Sequence, residues 1–175
     1  MRHTEPQSFL SETARRAAQR SWSWVPLFVG AAVLAFDQIS KSLAIHYLSD
    51  SPHHLLGPLG FGLTYNTGSA FSLFSGSSIL LSVIDVALLI VLVVVGCRSK
   101  QRIIQIGLGL MIGGAVGNLC DRLVRHHGRG VVDFITLSHW PTFNLADSAI
   151  DLGVIVVIIG LLFQQRSSQR ESSNV

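Results

Sequence analysis

Two aspartates carry the strongest chemical lead in this chain: Asp133, in Val131-Val132-Asp133-Phe134, and Asp147, in Phe143-Asn144-Leu145-Ala146-Asp147. They lie at either end of a short stretch beside the last apolar segment. Two close carboxylates cannot easily both be ionised, so they share a proton. One then acts as base on a water while the other acts as acid toward a carbonyl. The titration belongs to the pair rather than to either residue. This is the logic of paired-aspartate hydrolysis, here without the Asp-Thr-Gly motifs of soluble enzymes that use it.

Other polar residues stand where they need a reason. Asp37 and Lys41 are four apart and share a helical face. Either they neutralise each other while Lys41 snorkels outward, or Lys41 holds an outer polar site together. Asn118, Asp121 and Arg122 follow at spacings i, i+3 and i+4, on one side of a helix end. They must find partners because lipid offers none. The adjacent Asp121 and Arg122 could form a simple helix-end pair or position other acids. Asn66-Thr67-Gly68-Ser69-Ala70-Phe71 combines turn formers with small residues, and alone it is weak. Asp151, one turn after Asp147, suits the dipole at a helix start. Asp147 itself is expected to turn inward. Asp85 lies well inside an apolar run with no basic neighbour in sequence.

Other chemistries find little support. His53, His54, His126, His127 and His139 fall mostly in loops, and no HExxH or His-Cys spacing suggests a metal. No G-x-S-x-G or Ser-Lys dyad supports a serine nucleophile. Cys97 and Cys120 belong at opposite ends of neighbouring segments, too far apart for a disulfide. No cofactor is expected. The basic balance shows no patch with interleaved aromatics of the nucleic-acid type.

The elements that must position these residues are membrane helices. The chain has 175 residues, 49% of them hydrophobic and only 13% charged, with mean hydropathy +0.48. Soluble domains carry about 25% charged residues. Four stretches, about 24–45, 79–96, 103–123 and 146–163, approach the roughly 20 apolar residues that span a bilayer. They predict an all-α membrane protein of four transmembrane helices, within a domain at residues 23–165. A soluble apolar bundle fits these run lengths poorly. The first segment could pass as a signal peptide, but the apolar pattern resumes after Asp37. Gly109, Gly113 and Gly117 line one face of the third segment, where another helix can approach closely.

Arg2, Arg15, Arg16, Arg20, Arg98, Lys100, Arg102, Arg166 and Arg170 fall on one side of this plan. Lys41, Arg122, Arg125 and Arg129 fall on the other. The excess of basic residues marks the cytoplasmic side. Residues 1–22 and 166–175 are therefore read as cytoplasmic tails, the first with a short amphipathic helix at 14–20 and the second frayed. Asp133 and Asp147 come to the outer face. The Pro- and Gly-rich region 47–78 suggests short strands and turns, a small extracytoplasmic β-rich platform.

With these residues in order, the chain resembles the lipoprotein signal peptidase (signal peptidase II) family. The resemblance spans residues 37–147. It rests on Asp37-Gln38-Ile39-Ser40-Lys41, Asn66-Thr67-Gly68-Ser69-Ala70-Phe71, the run from Gly113 to Arg122, Val131-Val132-Asp133-Phe134 and Phe143-Asn144-Leu145-Ala146-Asp147. It implies a bacterial inner-membrane aspartic endopeptidase. Such an enzyme cuts the signal peptide from a lipidated preprotein just before the diacylglyceryl-modified cysteine, and is a target of globomycin. By the motif match, Asp133 and Asp147 would be the catalytic pair. Asn66, Gly68, Asn118, Asp121, Arg122 and Asn144 would shape the site, with Asp37 and Lys41 in support. A rival reading makes the chain a small transporter with Asp37, Asp85 and Asp147 as a polar relay, or a lipid-binding scaffold. The acids cluster at one face, which favours a surface reaction.

Overall fold

The computed structural model describes residues 22–48, 53–56, 58–66, 78–124 and 130–173. Gly68, the 14–20 segment, His126 and His127 lie outside the described residues, as do the side chains of Asp85, His53 and His54. Among the described residues four helices form: α1 (Val25–Tyr47), α2 (Ser78–Arg98), α3 (Arg102–Leu123) and α4 (Leu145–Ser173). Pro26 sits in the first turn of α1, where its missing N–H would have had no helical partner. α1, α3 and the first part of α4, Leu145–Ser167, are long and apolar enough to cross a membrane. In α2 the described apolar stretch is the shorter Val86–Arg98.

α3 is the central helix: 56% of its apolar window is buried, against 22% for α1 and for α4. Its glycines explain how it accepts neighbours on two sides. A Cβ on Gly113 would lie 2.5 Å from the Gly30 carbonyl oxygen and 2.5 Å from Cβ of Val33, both on α1. On the other side, a Cβ on Gly107 would meet Val157 of α4 at 2.8 Å, and one on Gly153 would meet the Gly107 oxygen at 2.6 Å. The backbones therefore touch directly, as small residues permit between membrane helices. The outer faces are apolar and open. Phe28, Phe36 and Leu43 of α1 and Ile155, Leu162 and Phe163 of α4 are all exposed, which suits lipid rather than water.

The β-rich element is a four-stranded antiparallel sheet in the order β1-β2-β3-β4: His53–Leu56, Leu59–Asn66, Val131–Leu137 and Trp140–Phe143. Only half of it comes from the 47–78 region, where strands were expected. β3 and β4 come from the α3–α4 connection, and the β-branched, aromatic run Val131-Val132-Asp133-Phe134-Ile135-Thr136 is their signal. The β2–β3 register places Asn66 opposite Val131 and Thr64 opposite Asp133, so Asn66 is a diagonal neighbour of Asp133 on one face. The β3–β4 turn places His139 at φ 67°.

A second correction concerns the chain's end. Residues 166–173 continue α4 instead of fraying. Gln, Arg and Glu favour helix, and the Ser167 hydroxyl donates back to the Phe163 and Gln164 carbonyls, both at 3.0 Å.

Candidate active site

The start of α4 holds the site together. Asn144 is its N-cap: its Oδ1 accepts the Asp147 N–H at 2.9 Å, while Asp147 Oδ2 accepts the Asn144 N–H at 3.2 Å. This reciprocal pair is a capping box built from Asn and Asp. The Ala146 N–H between them donates to Asp37 Oδ1 on α1 at 3.0 Å. Helix starts leave such N–H groups unsatisfied, so capping places Asp147 in the bundle and turns it inward as expected. Asp151, one turn on, is exposed.

Two asparagines then join the two carboxylates. Asn144 Nδ2 donates to Asp133 Oδ1 at 2.6 Å and to Asn118 Oδ1 at 3.3 Å. Asn118 Nδ2 donates to Asp147 Oδ1 at 2.8 Å. Lys41 sets the sense of this chain. Its ammonium can only donate, and it donates to Asn118 Oδ1 at 3.0 Å, which leaves the Asn118 amide nitrogen for Asp147.

Lys41 does not snorkel. It is fully buried and pairs with Asp37 at 2.8 Å and Asp121 at 2.9 Å. An unpaired buried charge would be very costly, and here one cation serves two carboxylates and an amide. Asp121 also accepts the Val132 N–H at 3.1 Å, which ties β3 to α3 one residue before Asp133. Gln38 completes the cluster, its amide nitrogen 3.2 Å from Asp37, Asp121 and the Gly117 carbonyl oxygen alike. Gly117 leaves the space that Asp37 fills: a Cβ there would overlap the Asp37 carboxylate. Among the described residues no buried side-chain polar atom lacks a partner.

The two aspartates differ in setting. Asp133 is only 2% exposed. Burial, and then the neighbouring Asp147 charge, push its carboxyl from 3.8 up to about 6, against the opposing pull of Asn66, Asn144 and Lys41. Asp147 is half-buried, with its two oxygens accepting from Asn118 and from the Asn144 N–H.

Comparison with known proteins gives this geometry a context. The family model described as signal peptidase (SPase) II matches residues 29–163. The chain belongs to the signal peptidase II family. The lipoprotein signal peptidase of Coxiella burnetii (strain Dugway 5J108-111) is 37% identical over 160 residues, covering 87% of this chain and 97% of that protein. That of Rhodococcus jostii (strain RHA1) is 38% identical over 136 residues, covering 75% and 69%. A bacterial membrane enzyme solved by the in meso method at 1.9 Å superposes with a TM-score of 0.71 at 29% identity, covering 82% of this chain and 96% of that one. The chain is thus a membrane-embedded aspartic peptidase of the signal peptidase II type.

For this signal peptidase II chain, the structure gathers Asp37, Lys41, Asn118, Asp121, Asp133, Asn144 and Asp147 in one connected network, with Asn66 bonded to Asp133. Arg122, next in sequence to Asp121, is half-buried on α3. Two contributors had no assigned part in the sequence reading. Gln38 stood inside the first motif without a role, and Gly117 was read as helix packing alone. The only signal for Gln38 was an amide adjacent to a buried acid.

Proposed function

We propose that Asp133 and Asp147 are the catalytic pair of an endopeptidase that removes the signal peptide from diacylglyceryl-modified prolipoproteins, cutting before the lipidated cysteine. The observation that carries this reading is the asparagine-linked pair of unequal carboxyls, one buried with its carboxyl pushed up to about 6 and one half-buried. Asp147 takes a proton from water as the water oxygen bonds to the scissile carbonyl carbon. Asp133 gives its proton to the carbonyl oxygen. The tetrahedral species collapses as the C–N bond breaks: the leaving amine takes the proton held by Asp147, and one hydroxyl returns its proton to Asp133. Asn118 and Asn144 orient the pair, while Lys41, Asp37 and Asp121 support it. Asn66, Gly68 and Arg122 shape the substrate's approach.

In this reading all four helices cross a bacterial inner membrane with both termini cytoplasmic. Residues 1–22 and 166–175 flank a peptidase domain at 23–165. The site lies at the outer face, where the sheet holds the peptide next to the lipidated cysteine. Basic-residue bias supports the orientation. The grouping of the described acids at one end of the bundle supports the surface reaction. Globomycin-type inhibitors would compete for the same site.

The test is incubation of purified protein with a diacylglyceryl-modified precursor and an unlipidated control. Cleavage of the lipidated form alone is expected, and its loss in both Asp133→Asn and Asp147→Asn. Full activity in either variant removes the pair assignment, and equal cleavage of both precursors removes the lipid requirement.

A further inference from the structure

At the end of the bundle remote from the carboxylates, three cations crowd a short turn. Arg98 closes α2, Lys100 lies in the connection at residues 99–101, and Arg102 opens α3; all three are exposed. Among the described residues none of them makes an ion pair. No Asp or Glu occurs from residue 86 to residue 120 or from 152 to 170. α4 ends on the same side: a Cβ on Gly160 would meet Ile103 and Ile104, and Arg166 follows, exposed.

This turn is held in place. The Ser23 N–H donates to the Cys97 carbonyl at 3.0 Å. The Ser23 hydroxyl donates to Gln105 Oε1 at 3.0 Å, and Gln105 Nε2 donates to the Ser99 carbonyl at 2.6 Å. Gln105 is itself only 5% exposed. The guanidinium of Arg98 stands 5.8 Å over the Trp22 ring, within cation–π range. Trp22 and Trp24 are 55% and 66% exposed, the amphipathic aromatics that settle at headgroup depth.

We propose that Arg98, Lys100 and Arg102, framed by Trp22 and Trp24, bind the phosphate of an anionic phospholipid headgroup. Charge bias for orientation needs only the number of basic residues on one side. It does not need a turn locked by a buried glutamine and a serine, or a guanidinium seated on a ring. Three exposed cations lie within five positions on this locked turn, and the exposed Trp22 and Trp24 belong at headgroup depth. The chain's own preceding segment is a poor occupant. Residues 1–21 hold four arginines against two glutamates, the same sign as the patch.

The experiment uses the full chain with Trp140→Phe, which leaves Trp22 and Trp24 as the only indoles, in phosphatidylcholine vesicles. Brominated phosphatidylglycerol or brominated phosphatidylcholine is added at equal mole fraction, and tryptophan quenching is read. Phosphatidylglycerol is expected to quench several-fold more effectively, and high salt to reduce the difference. Lys100→Gln should lower the preference by about fivefold, and combined Arg98→Gln, Lys100→Gln, Arg102→Gln should abolish it. An unfolding midpoint in detergent equal to that of the Trp140→Phe parent shows that each Gln variant is folded. Equal quenching by the two lipids in the parent overturns the proposal, whether water, free phosphate or an acidic peptide then meets the cations. So does an undiminished preference in the triple variant.

Discussion

Each end of α3 carries a buried, partnered polar cluster, but the two clusters use different chemistry. At one end Gln105 joins Ser23 and the Ser99 carbonyl through neutral hydrogen bonds. At the other, Lys41 is enclosed with Asp37 and Asp121, and asparagines carry the network on to Asp133 and Asp147. Neutral bonds suffice to lock a turn. Buried charge costs more to desolvate and depends on every partner being present. Its presence at one end therefore marks where the fold does something besides hold itself together, and the proposed catalytic pair lies there.

The sharpest way to break this contrast is to remove one group at each end. Lys41→Met leaves Asp37 and Asp121 uncompensated and should destabilise by about 3–5 kcal/mol, with loss of cleavage. Gln105→Leu should cost about 1–3 kcal/mol and leave cleavage measurable. Unfolding in detergent, followed with a precursor assay, reads both. Equal costs would mean that the charged end is no more demanding than the neutral one.

Glycines give a second, smaller contrast. Gly117→Ala pushes a methyl into the Asp37 carboxylate and should cost about 1–3 kcal/mol, with cleavage falling alongside. Gly96→Ala at the far end meets the Pro26 ring carbons at 3.2 and 3.3 Å. That neighbour can give slightly, so a cost under about 1 kcal/mol and unchanged cleavage are expected.

Asp133 should show the stability sacrificed for function. Its carboxyl is raised from 3.8 to about 6, so the native state holds the proton more tightly than the unfolded chain. Ionising it in the fold then lowers stability as pH rises between those values, and the penalty is complete above about 6. Asp133→Asn should therefore stabilise the protein by up to about 3 kcal/mol at neutral pH, while abolishing cleavage. The gain should vanish below the lower of the two values. The infrared band of the protonated carboxyl should fade as pH rises past about 6. In Asp147→Asn it should fade at lower pH, because a repelling charge is gone. A band unmoved by Asp147→Asn would show that the two carboxyls do not sense each other.

Much of this was legible in residue order. The helices coincide closely with the apolar runs, because hydrocarbon excludes unpaired backbone and leaves helix as the economical span. Asp133 and Asp147 stood out because charge in an apolar chain needs a reason. Less legible was how the polar residues connect. Asp37 and Lys41 read equally well as a self-contained pair, and only the packing of α3 against α1 brought Asp121 and Asn118 to the ammonium. β3 and β4 were not foreseen, because a short run with buried residues on both faces, such as Val131 to Phe134, lacks the alternation that announces a strand.

The sequence by itself therefore determined the apolar helices, the glycine stripe on α3, the family and the two aspartates proposed as the catalytic pair. These are local properties: run length, spacing and residue type. The tertiary structure alone decided that Lys41 is shared, that Asn118 and Asn144 face opposite members of the pair, and that Asp133 is buried while Asp147 is half-open. Each depends on groups up to 109 positions apart in the chain meeting at one helix start. No window along the sequence contains such a meeting, because close packing of separate helices creates it.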